Sequence, residues 1–306
     1  MILVFPGQGS QKPGMGKDLV ERFPEAREVF ERADAALGFS LSTLCFEGPA
    51  EELMLTHNAQ PALLAHSAAV WAVLRDRLRA GVRGASGHSL GELSAYYAMG
   101  ALPLEEALRL VRTRGELMYA AGQKVPGAMA AILGSPSRTI EEICSEASVH
   151  GAVVPANYNN LEQIVISGEV AAVEAAMAIA KEAGAKKAMR LQVSGAFHSP
   201  LMASAAEGFA AALDAVHWRD PSVPVWSNVT AEAIGDAATA KQLLLQQLTA
   251  PVRWVEVVRN IAARFPATTF VEMGPGGVLS GLIRRLAPDC ATKTCGTVAE
   301  VEALLQ

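Results

Sequence analysis

A serine sits between two glycines in Gly87-His88-Ser89-Leu90-Gly91, after a short strand-like segment and before a stretch that forms a helix. This is the G-x-S-x-G spacing of a nucleophile elbow, in which small flanking residues permit a strained turn that pushes the hydroxyl out of a sheet edge. A helix starting at the serine aims free backbone N–H groups, and the positive end of its dipole, at the place where an oxyanion would form on an acylated serine. The Leu90 N–H is then a natural donor. The spacing alone does not settle the chemistry, because a serine between glycines also recurs in ordinary turns. The segment before it, with Arg83, Gly84, Ser86 and Gly87, is also less apolar than a buried central strand should be.

A serine hydroxyl becomes a nucleophile when a base takes its proton, and histidine has the right pKa for that near neutrality. None of the six histidines is singled out by spacing: His198 in Gly195-Ala196-Phe197-His198-Ser199, a loop histidine beside Ser199-Pro200, taken singly reads more often as a surface or packing residue than as a base. Arg114 offers a different chemistry. On a helix from Leu104 to Met118 the apolar face is made by Leu104, Ala107, Leu108, Val111 and Met118. Arg114 lies about 65° from the middle of that face, nearer the core than Arg109 or Arg112. An arginine there either snorkels to solvent or is buried against a carboxylate, and its planar fork can hold a carboxylate by two parallel hydrogen bonds where lysine cannot. The Gly-rich turn Pro6-Gly7-Gln8-Gly9 has neither the G-x-G-x-x-G spacing nor a Walker lysine, so a nucleotide cradle is not expected.

Short apolar strands alternate with amphipathic helices, the pattern of a mostly parallel sheet covered by helices. Residues Ile2 to Phe5 predict the first strand. Pro24 opens a helix whose Ala26, Val29, Phe30, Ala33 and Leu37 share a face and which Gly38 stops. Pro61 is expected to open a second helix through Leu64, Ala68, Trp71 and Leu78. Between 127 and 193 the order changes to strand, helix, strand, strand, helix, strand, which is that of a ferredoxin-like unit. The expected organisation is therefore an α/β chain with a large subdomain, residues 1–126 and 194–306, and a small ferredoxin-like subdomain, 127–193, inserted in it. The large part is expected to end with a strand from Thr268 to Glu272 and a closing helix after Gly274-Pro275-Gly276-Gly277. Two such lobes make a cleft.

With 306 residues, 51% hydrophobic and 19% charged, the chain can bury a sizeable core. No apolar run reaches the eighteen residues that a membrane span needs. The apolar start, running straight into Pro6-Gly7, reads as a strand rather than a signal peptide, and a cytoplasmic protein is the expectation. Cys45, Cys144, Cys290 and Cys295 lack metal-ligand spacing and are read as structural, with no metal site. A net charge of −5 without a basic stripe argues against nucleic acid as partner.

Taken together, Gly87-His88-Ser89-Leu90-Gly91-Glu92 and Phe5-Pro6-Gly7-Gln8-Gly9-Ser10-Gln11 resemble the malonyl-CoA:acyl carrier protein transacylases, and also the acyltransferase domains of polyketide synthases. The resemblance continues in order through Arg114-Gly115, Gly127-Ala128-Met129-Ala130-Ala131, Gly195-Ala196-Phe197-His198-Ser199, Gln247-Leu248 with Pro251-Val252, and Gly274-Pro275-Gly276. It implies an α/β-hydrolase-like large subdomain with a ferredoxin-like small one. It further implies Ser89 as nucleophile, His198 as base, the main-chain carbonyl of Gln247 as the group that orients the imidazole, and the backbone N–H groups of Gln8 and Leu90 as oxyanion hole. Arg114 would bind the malonyl carboxylate. Phe197 would fill the space that a branching methyl needs, Asn157 and Asn159 would face the thioester or pantetheine, and Gln11 would support the Gln8 loop.

The implied cycle is ping-pong, with malonyl-CoA as substrate, no bound cofactor, and a phosphopantetheinylated acyl carrier protein as second partner of a monomer. Carrier proteins are acidic, so a basic rim is expected, with Lys181, Lys186, Lys187, Arg190, Arg284 and Arg285 as candidates. Two rivals are a serine acyl hydrolase, which has no need of Arg114, and a silent scaffold, which has no need of Ser89 or His198. Neither the pathway served, fatty acid or polyketide, nor the carrier protein follows from these residues.

Overall fold

A computed structural model describes all 306 residues. Two sheets organise the chain. The first has six strands, and along it they run β10 (Ala291–Cys295), β9 (Thr269–Met273), β1 (Ile2–Phe5), β2 (Gly84–Gly87), β7 (Val225–Trp226) and β8 (Ala233–Ile234). All neighbours are parallel except β8, which returns antiparallel on β7. The second has four antiparallel strands in the order β4 (Val153–Asn160), β5 (Gln163–Glu169), β3 (Gly127–Leu133), β6 (Lys187–Arg190). Helices Ile140–Ala147 and Val170–Glu182 complete the strand-helix-strand-strand-helix-strand order.

Strand side chains alternate between faces, and here each face has its own core. Leu3 and Phe5 belong to the large apolar cluster shared with helices Pro24–Leu37, Thr56–Leu78 and Leu104–Lys124. Ile2 and Val4 point the other way, into a cluster with Trp254, Val258, Leu279 and Ile283 from helices Trp254–Arg264 and Val278–Leu286. The first sheet is thus covered on both sides, as parallel sheets require.

Three expectations need correction. Pro61 does not open its helix: the helix begins at Thr56 and carries Pro61 inside. Pro61 has no N–H for the carbonyl of His57 four residues back, and that carbonyl instead accepts from Arg112 Nη1 at 3.0 Å, which makes the interior proline tolerable. The chain does not end with the helix after Gly277, because β10 and a last helix, Val298–Leu305, follow. The strand Ala291–Cys295 carries two threonines and a lysine, and its outward positions are partly exposed, as suits an edge strand rather than a buried run. The final strand of the second sheet stops at Arg190 instead of reaching Val193.

The weakly apolar segment before the serine is β2, and it is buried throughout in the middle of the sheet. Its residues are small because their neighbours come unusually close. A Cβ on Gly84 would stand 2.5 Å from the Trp226 ring, and one on Gly87 2.0 Å from the Gly91 carbonyl carbon. A Cβ on Gly91 would in turn stand 2.0 Å from the carbonyl oxygen of Phe5. Strand β1, strand β2 and the helix after the elbow therefore lock together backbone to backbone. Gly91→Ala is expected to destabilise the protein by about 3 kcal/mol or more, since neither backbone can give way. A thermal melt followed by circular dichroism reads this directly, and an unchanged midpoint would refute it.

Candidate active site

The carboxyl ends of β1 and β2 lie side by side, because the two strands are parallel neighbours. In open α/β sheets this edge is where ligands bind. The turn after β1 carries Gln8, and the turn after β2 carries Ser89. Ser89 has φ 52° and ψ −104°, a strained backbone for a residue with a Cβ. The elbow is pinned by Asn228, whose Oδ1 accepts from Ser89 N–H at 2.7 Å and whose Nδ2 donates to Gly87 O at 2.8 Å. Leu90 opens helix Leu90–Ala98, so its N–H has no acceptor within the helix.

Ser89 Oγ lies 2.8 Å from His198 Nε2, and His198 Nδ1 lies 2.8 Å from the main-chain oxygen of Gln247. A carbonyl can only accept, so Nδ1 carries the proton and Nε2 is left free to take the serine's. Burial, reinforced by the Arg114 cation, pushes the His198 pKa down to about 3, and the imidazole is neutral at physiological pH. Gln247 follows helix Ala237–Gln246 and is fully buried, not exposed as a helix-end glutamine could be.

Arg114 does not snorkel. It is 1% exposed, and its guanidinium donates to Gln60 Oε1 at 2.8 Å, Gln247 Oε1 at 2.9 Å and Ser89 Oγ at 3.2 Å. Those partners are neutral, and no carboxylate of the protein forms an ion pair with Arg114. Burial lowers its pKa to about 10, which leaves it charged at neutral pH. The one carboxyl group that acts on it, Glu92, stands behind Gln247 and makes no contact, and a buried cation with no anion in contact, beside a serine, is a costly arrangement that an anionic ligand would relieve.

These groups open onto a cleft of about 330 Å³ lined by Gln8, Gln11, Ser89, Leu90, Arg114, Asn157, Phe197 and His198, with Met118, Met129, Leu191 and Val193 as its apolar wall. Gln11 Oε1 accepts from Gly9 N–H at 2.7 Å, bracing the loop, and Gln8 Oε1 accepts from Thr56 Oγ1 at 2.8 Å. The Gln8 N–H donates to no protein acceptor. Asn159 is the residue the structure does not bring to the cleft wall: its Oδ1 meets His88 Nε2 at 2.8 Å, and it lines a neighbouring cavity. His88 is thereby held as a half-buried neighbour of the elbow, its pKa lowered by desolvation of the ring.

Three side chains of the site escaped the sequence reading. Gln60 and Asn228 come from segments with no motif of their own, and only the fold reveals them. Glu92 had a signal, because it ends the motif Gly87-His88-Ser89-Leu90-Gly91-Glu92, and a carboxylate on the apolar first turn of a buried helix asks for a partner. Its carboxyl is pushed up to about 7 by burial, against hydrogen bonds from Asn228 N–H and Gln247 Nε2. The four cysteines are buried and unpaired. No group of three or more His, Cys, Asp or Glu side chains is placed to share a metal ion.

An acyltransferase is the class that this elbow, base and cleft fit, and residues 2–300 match the family model described as acyl transferase domain. The chain is 45% identical to the malonyl CoA-acyl carrier protein transacylase of Bacillus subtilis, over 100% of this chain and 96% of that protein. The acyl-carrier-protein-S-malonyltransferase of Bartonella henselae superposes with a TM-score of 0.95 at 45% identity, covering 99% of this chain and 98% of that one. A chain of a structure described as a type II polyketide synthase acyl carrier protein in complex with its malonyl-transacylase is also similar, at TM-score 0.93 and 39% identity, with 99% of this chain and 98% of that one covered. The chain belongs to the malonyl-CoA:acyl carrier protein transacylase family. No helix is long and apolar enough to cross a membrane.

Proposed function

We propose that this protein is a cytoplasmic, monomeric acyltransferase that moves a malonyl group from malonyl-CoA to the pantetheine thiol of an acyl carrier protein, through an ester on Ser89. The observation that carries the reading is the buried, unpaired Arg114 guanidinium 3.2 Å from the Ser89 hydroxyl. It offers the malonyl carboxylate a two-pronged partner within reach of the nucleophile. A hydrolase of simple acyl groups would have no use for that cation.

In the first half-reaction Ser89 Oγ attacks the thioester carbonyl while His198 Nε2 takes the hydroxyl proton. Gln247 O holds the other ring nitrogen throughout. The tetrahedral oxyanion is received by the N–H groups of Leu90 and Gln8. The C–S bond breaks, and the imidazolium returns its proton to the departing coenzyme A sulfur. In the second half, His198 takes the proton of the pantetheine thiol, the sulfur attacks the malonyl-serine, and the proton returns to Ser89 as the C–O bond breaks. Pairing of the substrate carboxylate with Arg114 also neutralises a cation that holds the His198 pKa down, so binding makes the base stronger when it is needed. Water competes for the same ester, and the apolar cleft wall supports the thiol's advantage.

We further propose that residues 127–193 are an inserted ferredoxin-like unit on the larger one formed by 1–126 and 194–306. Their separate apolar cluster, built around Ala130, Ile143, Ile166 and Val173, supports this. The second sheet's edge strand also carries the basic rim for the carrier protein. Arg190 is partly neutralised by Glu174 at 3.2 Å and Lys186 by Glu162 at 3.9 Å, while Lys187 has no ion-pair partner. Reversing charge at Lys186 and Lys187 to glutamate is expected to raise KM for carrier protein several-fold and leave KM for malonyl-CoA alone. Equal values for the variant and the parent would remove these lysines from the interface.

The central test separates the two halves. Malonyl-Ser89, formed with malonyl-CoA and freed of coenzyme A, is expected to persist in buffer and to discharge within seconds when carrier protein bearing its phosphopantetheine is added. Carrier protein without the arm should leave it intact. Rapid loss in buffer alone would identify a hydrolase, and an adduct that never forms would identify a scaffold.

A further inference from the structure

Glu92 lies on the first turn of the helix that the elbow opens, 0% exposed, and the mechanism above does not use it. Its Oε2 accepts from the Asn228 N–H at 2.9 Å and from Gln247 Nε2 at 2.7 Å, while Oε1 has no protein partner. The two partners lead to different parts of the site. Asn228 reaches the backbone of the elbow, at the Ser89 N–H and at Gly87 O. Gln247 reaches Arg114, to which it presents Oε1 at 2.9 Å.

A primary amide has two ends of almost the same shape and opposite polarity. Arg114 can only donate, so Gln247 must turn its oxygen toward it. What fixes that choice is the group at the other end: Glu92 Oε2 already receives the Asn228 N–H and is thereby held as an acceptor. The remaining contacts of Gln247 Nε2, with Ser89 O at 3.3 Å and Asn228 Oδ1 at 3.4 Å, are long and would not hold the amide by themselves. Were the amide to turn over, its NH₂ would face the guanidinium, and Arg114 would be driven from its place beside Ser89. The carbonyl that holds His198 belongs to the backbone of Gln247 and is untouched by such a turn.

We propose that Glu92 is a positioning residue for substrate selection: as an acceptor it fixes the Gln247 amide, and through it holds the Arg114 guanidinium where a substrate carboxylate is read. The inference rests on the assignment of Arg114 to the malonyl carboxylate.

The readout is the ratio of kcat/KM for acylation of Ser89 by malonyl-CoA to that by acetyl-CoA, because loss of folded protein or of general catalysis lowers both rates and cancels in the ratio. Glu92→Leu is expected to lower the ratio at least tenfold. Glu92→Gln should keep it within about threefold of the parent, since its amide oxygen can accept both hydrogen bonds and its NH₂ can occupy the place of the unpartnered oxygen. Should Glu92→Leu fail to fold, Glu92→Asp, which withdraws the oxygen by one methylene, is expected to lower the ratio instead. An unchanged ratio in the folded Leu or Asp variant would overturn the proposal, and so would a Gln variant as unselective as the others. Arg114→Ala is the control: if it kept the parent's preference, the assignment of Arg114 would fail and the role of Glu92 with it, whereas a control that loses preference beside an unaffected Glu92 variant refutes Glu92 alone.

Discussion

Ser89→Ala is expected to leave no malonyl adduct after exposure to malonyl-CoA, and His198→Ala to slow formation of the adduct by about 10²–10⁴-fold, the usual worth of a positioned general base. In the proposed mechanism the two differ because the serine supplies the bond and the histidine supplies only the proton path. Without His198, the oxyanion donors and the Arg114 site still bind and polarise the thioester, so a slow adduct on Ser89 should survive. Intact-mass analysis over a time course distinguishes the cases. An adduct of undiminished yield in Ser89→Ala would move the nucleophile elsewhere, and a His198 variant as fast as its parent would remove the base from the mechanism. The tautomer argument adds a constraint. Gln247 meets His198 through its backbone oxygen, so changing its side chain leaves that hydrogen bond in place, and an effect of such a change comes through the side chain's own contacts, the short ones being with Arg114 and Glu92.

Most of the architecture was legible because it is written in local signals. The helix at Pro24 and its stop at Gly38 follow from backbone chemistry, and Gly38 takes the positive φ of 75° that such a stop requires. The strand and helix order between 127 and 193 followed from periodicity. What misled the reading was tertiary. Strand β2 looks too polar for its central place because interlocking backbones, not side chains, fill the space around it. Pro61 looks like a helix start because the side chain that rescues the carbonyl it orphans, that of His57, comes from Arg112, 55 positions from His57 in chain order, and no local pattern connects the two. The β10 strand has few apolar residues since it lies at the sheet edge.

The site divides in the same way. Spacing made Ser89 and the Leu90 N–H candidates, because a strained turn needs glycines and a helix starts at the serine, but it did not settle their chemistry. His198 and Gln247 could not be read from spacing, since their roles depend on contacts with Ser89 and with each other across long stretches of chain, and only the family resemblance named them. Asn228 and Gln60 were invisible for a plainer reason. Each serves by hydrogen-bonding a backbone segment or a cation, a job that many polar residues could do, so neither residue type carries a signature.

Arg114→Ala should reverse the preference of the enzyme. In the proposed site, the malonyl carboxylate meets a guanidinium already desolvated and held by Gln60 and Gln247, so little of the attraction is offset by new burial. Removing the cation leaves the substrate carboxylate buried beside neutral amides, at a cost of about 3 kcal/mol, or roughly a hundredfold in kcat/KM. Acetyl-CoA never met the guanidinium with a charge, so its acylation rate should hold or rise, and the malonyl-to-acetyl ratio should fall by about that hundredfold. A second consequence concerns the base. The Arg114 cation is, after burial, the next cause of the low His198 pKa, so its removal makes the imidazolium easier to form. The His198 pKa should therefore rise from about 3 without reaching the ordinary histidine value near 6.5, because the larger cause, burial, remains. Nitrogen-15 NMR of the imidazole across pH 3 to 7 would follow the titration: an unmoved His198 would show that Arg114 does not act on the base, and a pKa that fell would contradict the sign of the interaction.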